Sequence, residues 1–138
     1  MVERKTKQPS NKKKLTISLA NIELYSINGQ QLQYDISKHP FELIRNNSLD
    51  VHELSEHTLK IRLSEKLFFK PEGPFKLDID VIGTYEGKIK VSKEDIENNL
   101  EELAQPLLSY AALIIATITE KLASLPIIVP PRKSSDED

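Results

Sequence analysis

The sequence predicts an α+β fold, in which one face of a four-stranded antiparallel sheet packs against a short helix and a long C-terminal helix. Two observations predict this class. Apolar and polar residues alternate before residue 92, as in half-buried strands, and helical spacing follows after it. With 138 residues, of which 38% are hydrophobic and 29% charged, the chain has the size and balance of one globular domain.

The first predicted strand begins at Leu15 with a strict alternation that holds as far as Ala20. The phase then slips by one residue, because Ile22 and Leu24 carry the next apolar side chains. Such a slip turns side chains to the opposite face unless a bulge absorbs it. We therefore predict a bulge or bend near Ala20 and Asn21.

The segment 26–47 is irregular. Asn28-Gly29 is a turn signal, residues 32–36 could form a short strand before a crossing loop, and Asn46-Asn47 closes the segment. Its large apolar side chains fit two interpretations, which we leave open. They either cover one end of the core or form a partly exposed apolar surface.

A hairpin gives the clearest strand pattern. Apolar residues share one parity from Leu59 to Phe69 and again from Phe75 to Val81, with a proline-rich turn between them. Upstream residues 49–51 either extend the first of these strands or form a separate one. On the polar face, Asp78 and Asp80 form an acidic patch, which either keeps an exposed sheet soluble or docks a basic partner.

The helical part begins at Ser92, an N-cap with a carboxylate three residues later, and the first helix is amphipathic. Pro106 separates it from a long helix that ends near Ala123. Residues 107–118 are too apolar for one stripe, so we expect a second subunit to cover part of this helix. The residues assigned to core and subunit contacts are Leu107, Ile114, Ile115 and Ile118.

The sequence contains no recognisable set of catalytic residues. The chain has no cysteine, its four glycines form no phosphate-binding loop, and His39, His52 and His57 lack metal-ligand spacing. We therefore expect a protein that is not an enzyme and needs no metal or cofactor.

The two ends of the chain carry opposite charges. Residues 1–14 form a basic arm and residues 132–138 an acidic tail; we expect both to be mobile and neither to bind nucleic acid. The body is the domain 15–131. The arm lacks the apolar core of a signal peptide, and the apolar run is shorter than the roughly 20 residues that span a bilayer. These features predict a cytoplasmic protein that does not insert into membranes.

The strand FKLDIDVIGTY, which starts at Phe75, and the segment PLLSYAALIIATITEKLASLPIIVPP, which ends at Pro131, resemble the SecB family of bacterial export chaperones. Residues 26–47 stand where that family has its crossover loop. The resemblance implies dimers or tetramers and docking of the motor SecA on an acidic sheet face, where Asp78 matches. It departs from the family pattern at Asn21 and Tyr25, which replace acidic residues, and this puts SecA docking in doubt.

The resemblance predicts an ATP-independent chaperone that holds unfolded polypeptides, such as preproteins or an antitoxin. Of the two interpretations of residues 26–47, an exposed apolar surface is the one that such a chaperone needs. The alternative is an oligomeric adaptor that binds one folded partner. The expected client groove is lined by crossover residues and closed by the C-terminal segment, with Leu32, Tyr34, Phe41, Leu43, Ile44, Ile127 and Val129.

Overall fold

The computed structural model describes residues 17–87 and 92–134, and it contains one four-stranded antiparallel sheet with helices on one face. The strands are β1 (Ile17–Gln31), β2 (Glu42–Leu54), β3 (Thr58–Lys70) and β4 (Phe75–Gly87), in the spatial order β1-β4-β3-β2. The helices are α1 (Lys93–Asn98), α2 (Leu100–Leu103) and α3 (Gln105–Ala123). The predicted fold class is confirmed. The predicted basic arm, residues 1–14, lies outside the described residues.

Strand β1 contains the predicted bulge. Its register against β4 shifts between Leu19 and Asn21, and it shifts again between Leu24 and Ser26. The first shift brings Ile22 and Leu24 to the helix-covered face, opposite the buried side of β4. The bulge therefore keeps the apolar side chains of β1 on one face despite the phase slip in the sequence.

The turn predicted at Asn28-Gly29 is wrong, because β1 continues through both residues. A Cβ at Gly29 would lie 3.1 Å from Leu122 Cδ1 and 3.3 Å from Leu77 Cδ1. The missing side chain thus lets α3 approach the sheet closely at this point.

The crossover is shorter than the sequence indicated. Residues 32–36 form no strand; a 3-10 turn at Ile36–Lys38 follows instead, capped by Asp35. Asn46-Asn47 lies within β2, which starts at Glu42 and is a separate strand. The crossover therefore comprises residues 32–41, and it joins the two edge strands of the sheet.

The predicted antiparallel hairpin is present as β3 and β4, and these two strands form the centre of the sheet. Odd-numbered residues of both strands face the helices and make most of the core. Gly83 lies on this face, where an added Cβ would come within 2.5 Å of Leu107 Cδ1. This glycine permits close packing of α3 against β4.

Ser92 caps α1, as predicted, by accepting a hydrogen bond from the Asp95 amide over 3.0 Å. The first helical stretch is interrupted at Asn99, whose side chain donates to the Asp95 carbonyl over 2.8 Å. Pro106 lies in the first turn of α3 and does not break it. Ser124, with a left-handed φ of 66°, ends α3.

Helix α3 packs across β4, β1 and β3. Its length and composition would also suffice to cross a membrane, contrary to the argument from the shorter apolar run, but a core helix of a soluble protein passes the same test. The side chains of α3 that are buried are Leu107, Leu108, Ala111, Ile115 and Thr119. Only 28% of its most apolar 18-residue window is buried within the described chain, whereas a core helix is mostly buried.

Candidate polypeptide-binding site

The C-terminal segment 125–134, which we call the tail, lies between α3 and the edge strand β2. The Ile127 amide donates to Thr119 Oγ1 over 2.7 Å, and Gln105 Nε2, at the start of α3, donates to the Pro131 carbonyl over 2.7 Å. The tail therefore runs back along α3, from its end towards its beginning. Its other side contacts β2, so it covers the part of the sheet that α3 leaves open.

Two β2 side chains bind the main chain of the tail. Arg45 Nη1 donates to the Pro130 carbonyl over 2.7 Å, and Asn47 Nδ2 donates to the Arg132 carbonyl over 3.2 Å. Ser134 completes the contact, since its amide donates to Asn47 Oδ1 over 2.7 Å. Residues 132–134 are thus held by β2, although the sequence predicted that the acidic end, residues 132–138, would be mobile. Residues 135–138 lie outside the described part.

Beneath the tail lies a buried ion pair that the sequence analysis missed. Arg45 binds Glu65 in a bidentate manner, with Nε–Oε1 at 2.9 Å and Nη2–Oε2 at 2.7 Å. The Glu65 side chain is completely buried, and Asn47 Nδ2 donates to the same carboxylate over 3.3 Å. A signal was present, because Glu65 interrupts the apolar parity of β3.

The crossover presents apolar side chains to solvent. The rings of Tyr34 and Phe41 are in edge-to-face contact with centroids 5.5 Å apart, and Tyr34 remains 43% exposed. Ile36, in the 3-10 turn, is 68% exposed. The Leu32 amide donates to the Pro74 carbonyl over 2.8 Å, which ties the start of the crossover to the β3–β4 turn.

The predicted groove residues do not all lie on one face of the sheet. Leu43 is opposite Phe69 on the helix-covered face, where it packs against the core, whereas Ile44 is opposite Phe68 on the other face. In the tail, Ile127 packs against the core and Val129 is buried within it. The structure therefore places Ile44 away from the predicted groove.

The predicted subunit contacts on α3 divide into two groups. Leu107 and Ile115 are completely buried within the chain, so they contribute to the core and cannot reach a second subunit. Ile114 and Ile118 are half-buried, and neighbouring Leu113, which the prediction omitted, is 66% exposed. The segment is therefore covered only in part by its own fold.

The acidic patch predicted on the polar face is neutralised by cations. Asp78 lies 3.5 Å from Lys66, and Asp80 lies 2.8 Å from Arg62. Partial burial opposes ionisation of Asp80, but its hydrogen bonds outweigh this effect and lower the pKa of the carboxyl group. The donors are Arg62, Ser64 and Ser26.

Within residues 17–87 and 92–134, no three histidine, aspartate or glutamate side chains converge in a group that could hold a metal ion. The arrangement consists of exposed apolar side chains and donors that bind main-chain carbonyls. Such a site can bind polypeptide through weak contacts that depend little on sequence.

Comparison with solved structures gives the fold. A SecB-like chaperone of Mycobacterium tuberculosis, solved in complex with a ChAD peptide from the HigA1 antitoxin, matches with a TM-score of 0.66 and 13% identity over 83% of this chain and 86% of that chain. The chain has a SecB-like fold. This confirms the fold predicted from the resemblance.

A protein of unknown function from Streptococcus agalactiae is also similar, with a TM-score of 0.53 and 11% identity over 83% of this chain and 96% of that chain. No protein-family model matches the sequence, and no curated protein does. The similarity therefore lies in the SecB-like arrangement of the backbone rather than in the sequence.

Proposed function

We propose that this protein is an ATP-independent chaperone that holds non-native polypeptides. The observation that carries the proposal is the group of large apolar side chains left in solvent by the crossover and the tail. Ile36, Leu125 and Ile128 are 68%, 69% and 77% exposed, and Tyr34 is 43% exposed. Apolar surface beside a rigid sheet is what a holding chaperone requires.

The M. tuberculosis structure supports the same proposal, because that SecB-like chaperone was solved with a bound peptide from an antitoxin. Burying one large apolar side chain contributes about 1.5–3 kcal/mol, so each contact with a client is weak. Several such contacts on one assembly retain a long client through effective concentration. Binding of this kind needs no energy source and discriminates little between sequences.

We propose that the assembly is a homodimer or homotetramer, as expected from the apolar character of α3. The exposed Leu113 and half-buried Ile114 and Ile118 form the candidate self-association face. Analytical ultracentrifugation of the full chain tests this directly. A single-chain mass at micromolar concentration would contradict it, whereas Leu113→Asp is expected to lower the mass of an oligomer.

The chaperone activity is tested by light scattering from a denatured client protein. The wild-type chain, at a stoichiometric amount, is expected to suppress aggregation, and Ile36→Ser and Ile128→Ser are each expected to weaken suppression. Leu54→Ser is the matched control, because Leu54 is 41% exposed but lies at the end of β2 beside the β2–β3 turn.

Aggregation that proceeds equally fast with and without the wild-type chain would overturn the proposal. Capture of one folded partner together with that result would instead favour the adaptor alternative. SecA docking through Asp78 and Asp80 stays a prediction from the resemblance, and both carboxylates would have to release their cations first.

A further inference from the structure

The tail occupies a trough whose floor is β2 and β3 and whose wall is α3. Side chains from both sides bind its main chain: Gln105 binds the Pro131 carbonyl, Arg45 the Pro130 carbonyl, Asn47 the Arg132 carbonyl, and Thr119 the Ile127 amide. Main-chain groups are common to all polypeptides. Three of the four contacts bind carbonyls at a turn, in which the Arg132 amide donates to the Pro130 carbonyl over 2.8 Å. The polar contacts along the trough therefore recognise main-chain groups rather than a particular sequence.

The side chains of the tail add little selectivity. Ile127 and Val129 face inward, two positions apart, while Ile128 between them is 77% exposed. The trough thus requires only an extended segment with apolar side chains at alternate positions. Many unfolded segments meet that requirement.

We propose that the trough is itself a binding site for extended polypeptide, filled in the free protein by residues 127–132, and that a client segment enters it by displacing the tail. This inference rests on the proposed chaperone function, and it adds a second client site to the one formed by the crossover. It also makes the tail a tethered competitor, because a segment attached to α3 is present at high effective concentration.

Competition has a measurable consequence. The apparent affinity for a client is the intrinsic affinity multiplied by the fraction of molecules in which the trough is open, so a weaker tail contact raises the apparent affinity. Thr119→Val removes the acceptor of the Ile127 amide and keeps the shape of the side chain. We expect this variant to bind a reduced and alkylated, permanently unfolded protein about tenfold more tightly than the wild type.

Two further variants isolate the effect. Thr117→Val is the matched control, since Thr117 is exposed on the same helix and its hydroxyl donates to the Leu113 carbonyl, with no hydrogen bond to the tail. Its affinity is expected to equal that of the wild type. Gln105→Ala removes only the Pro131 contact of an exposed residue and is expected to tighten binding, so the test does not depend on one substitution.

Hydrogen exchange of the Ile127 amide in the wild-type full chain tests the inference without any substitution. Saturation with the unfolded protein is expected to accelerate this exchange, because displacement of the tail frees the amide from Thr119. Unchanged or slower exchange, together with equal affinities of Thr119→Val, Gln105→Ala and the wild type, would overturn the inference while leaving the chaperone proposal intact. Failure of the wild type and all variants to bind the unfolded protein would overturn both.

Discussion

Replacing Arg45 by methionine is expected to destabilise the fold by about 3–5 kcal/mol, because it leaves a buried carboxylate without its counter-ion. The Glu65 side chain is 0% exposed, and Arg45 supplies two of its hydrogen bonds, at 2.9 and 2.7 Å. Only the longer contact from Asn47, at 3.3 Å, would remain among the described partners. The substitution also removes the hydrogen bond to the Pro130 carbonyl, so it weakens the tail.

Replacing Glu65 instead of Arg45 should lower the free energy of unfolding by less. In Glu65→Leu, the guanidinium of Arg45 keeps the Pro130 carbonyl and is 12% exposed, so it retains a partner and some water. We expect a loss of about 1–3 kcal/mol. In the double variant no uncompensated charge remains, and its loss is expected to be smaller than that of Arg45→Met alone, since apolar replacement of a buried ion pair is often close to neutral.

Urea denaturation of the four proteins, followed by circular dichroism, gives the free energies of unfolding for a double-mutant cycle. A coupling energy of at least about 2 kcal/mol is expected between residues 45 and 65. Losses that add within about 0.5 kcal/mol, or an Arg45→Met variant as stable as the wild type, would refute the reasoning.

Three further outcomes are expected. Gly83→Ala should destabilise the fold by about 1–3 kcal/mol in urea denaturation, since its Cβ would lie 2.5 Å from Cδ1 of the fully buried Leu107. Gly29→Ala should cost less, since its nearest atom is Cδ1 of the partly buried Leu122 at 3.1 Å; equal losses would contradict this. Burial raises the pKa of Tyr85 to about 12, so this residue is expected to ionise near that pH in an absorbance titration, and Tyr85→Phe should remove that ionisation step. A step that persists in Tyr85→Phe would belong to another tyrosine and would contradict the assignment. The pKa of Asp80 is lowered in the folded protein, so the carboxylate contributes its full stabilisation above the unfolded pKa of 3.8 and loses it as the pH falls through the folded pKa. Stability should therefore fall less steeply with acid in Asp80→Asn than in the wild type. Identical acid-unfolding profiles would contradict the hydrogen bonds described for Asp80.

Periodicity predicted those parts of the fold in which one physical cause determines the pattern. The β1 bulge follows from side-chain parity alone, and the capping serine at residue 92 follows from local hydrogen bonding. Gly29 was misinterpreted because two causes produce the same residue: a turn and a close helix contact both favour glycine, and only tertiary packing distinguishes them.

The trough could not be predicted in the same way. Its contacts with β2 join residues that are 85 positions apart in sequence. Most of its polar contacts also involve main-chain carbonyls, which leave no trace in side-chain patterns. Glu65 offered the one sequence signal, a charged residue at an apolar position. The sequence did not show that Arg45 on β2 lies next to Glu65 on β3, so the ion pair could not be predicted.

The pairing of β1 with β4 sets an order in which the chain can fold during synthesis. Strands β2, β3 and β4 form a meander of local contacts, but Gln31 pairs with Phe75, so the first strand to leave the ribosome waits for the last. Until β4 emerges, the apolar side of β1 has no neighbour to pair with. The nascent chain therefore passes through a stage in which it exposes the kind of surface that other proteins depend on chaperones to shield.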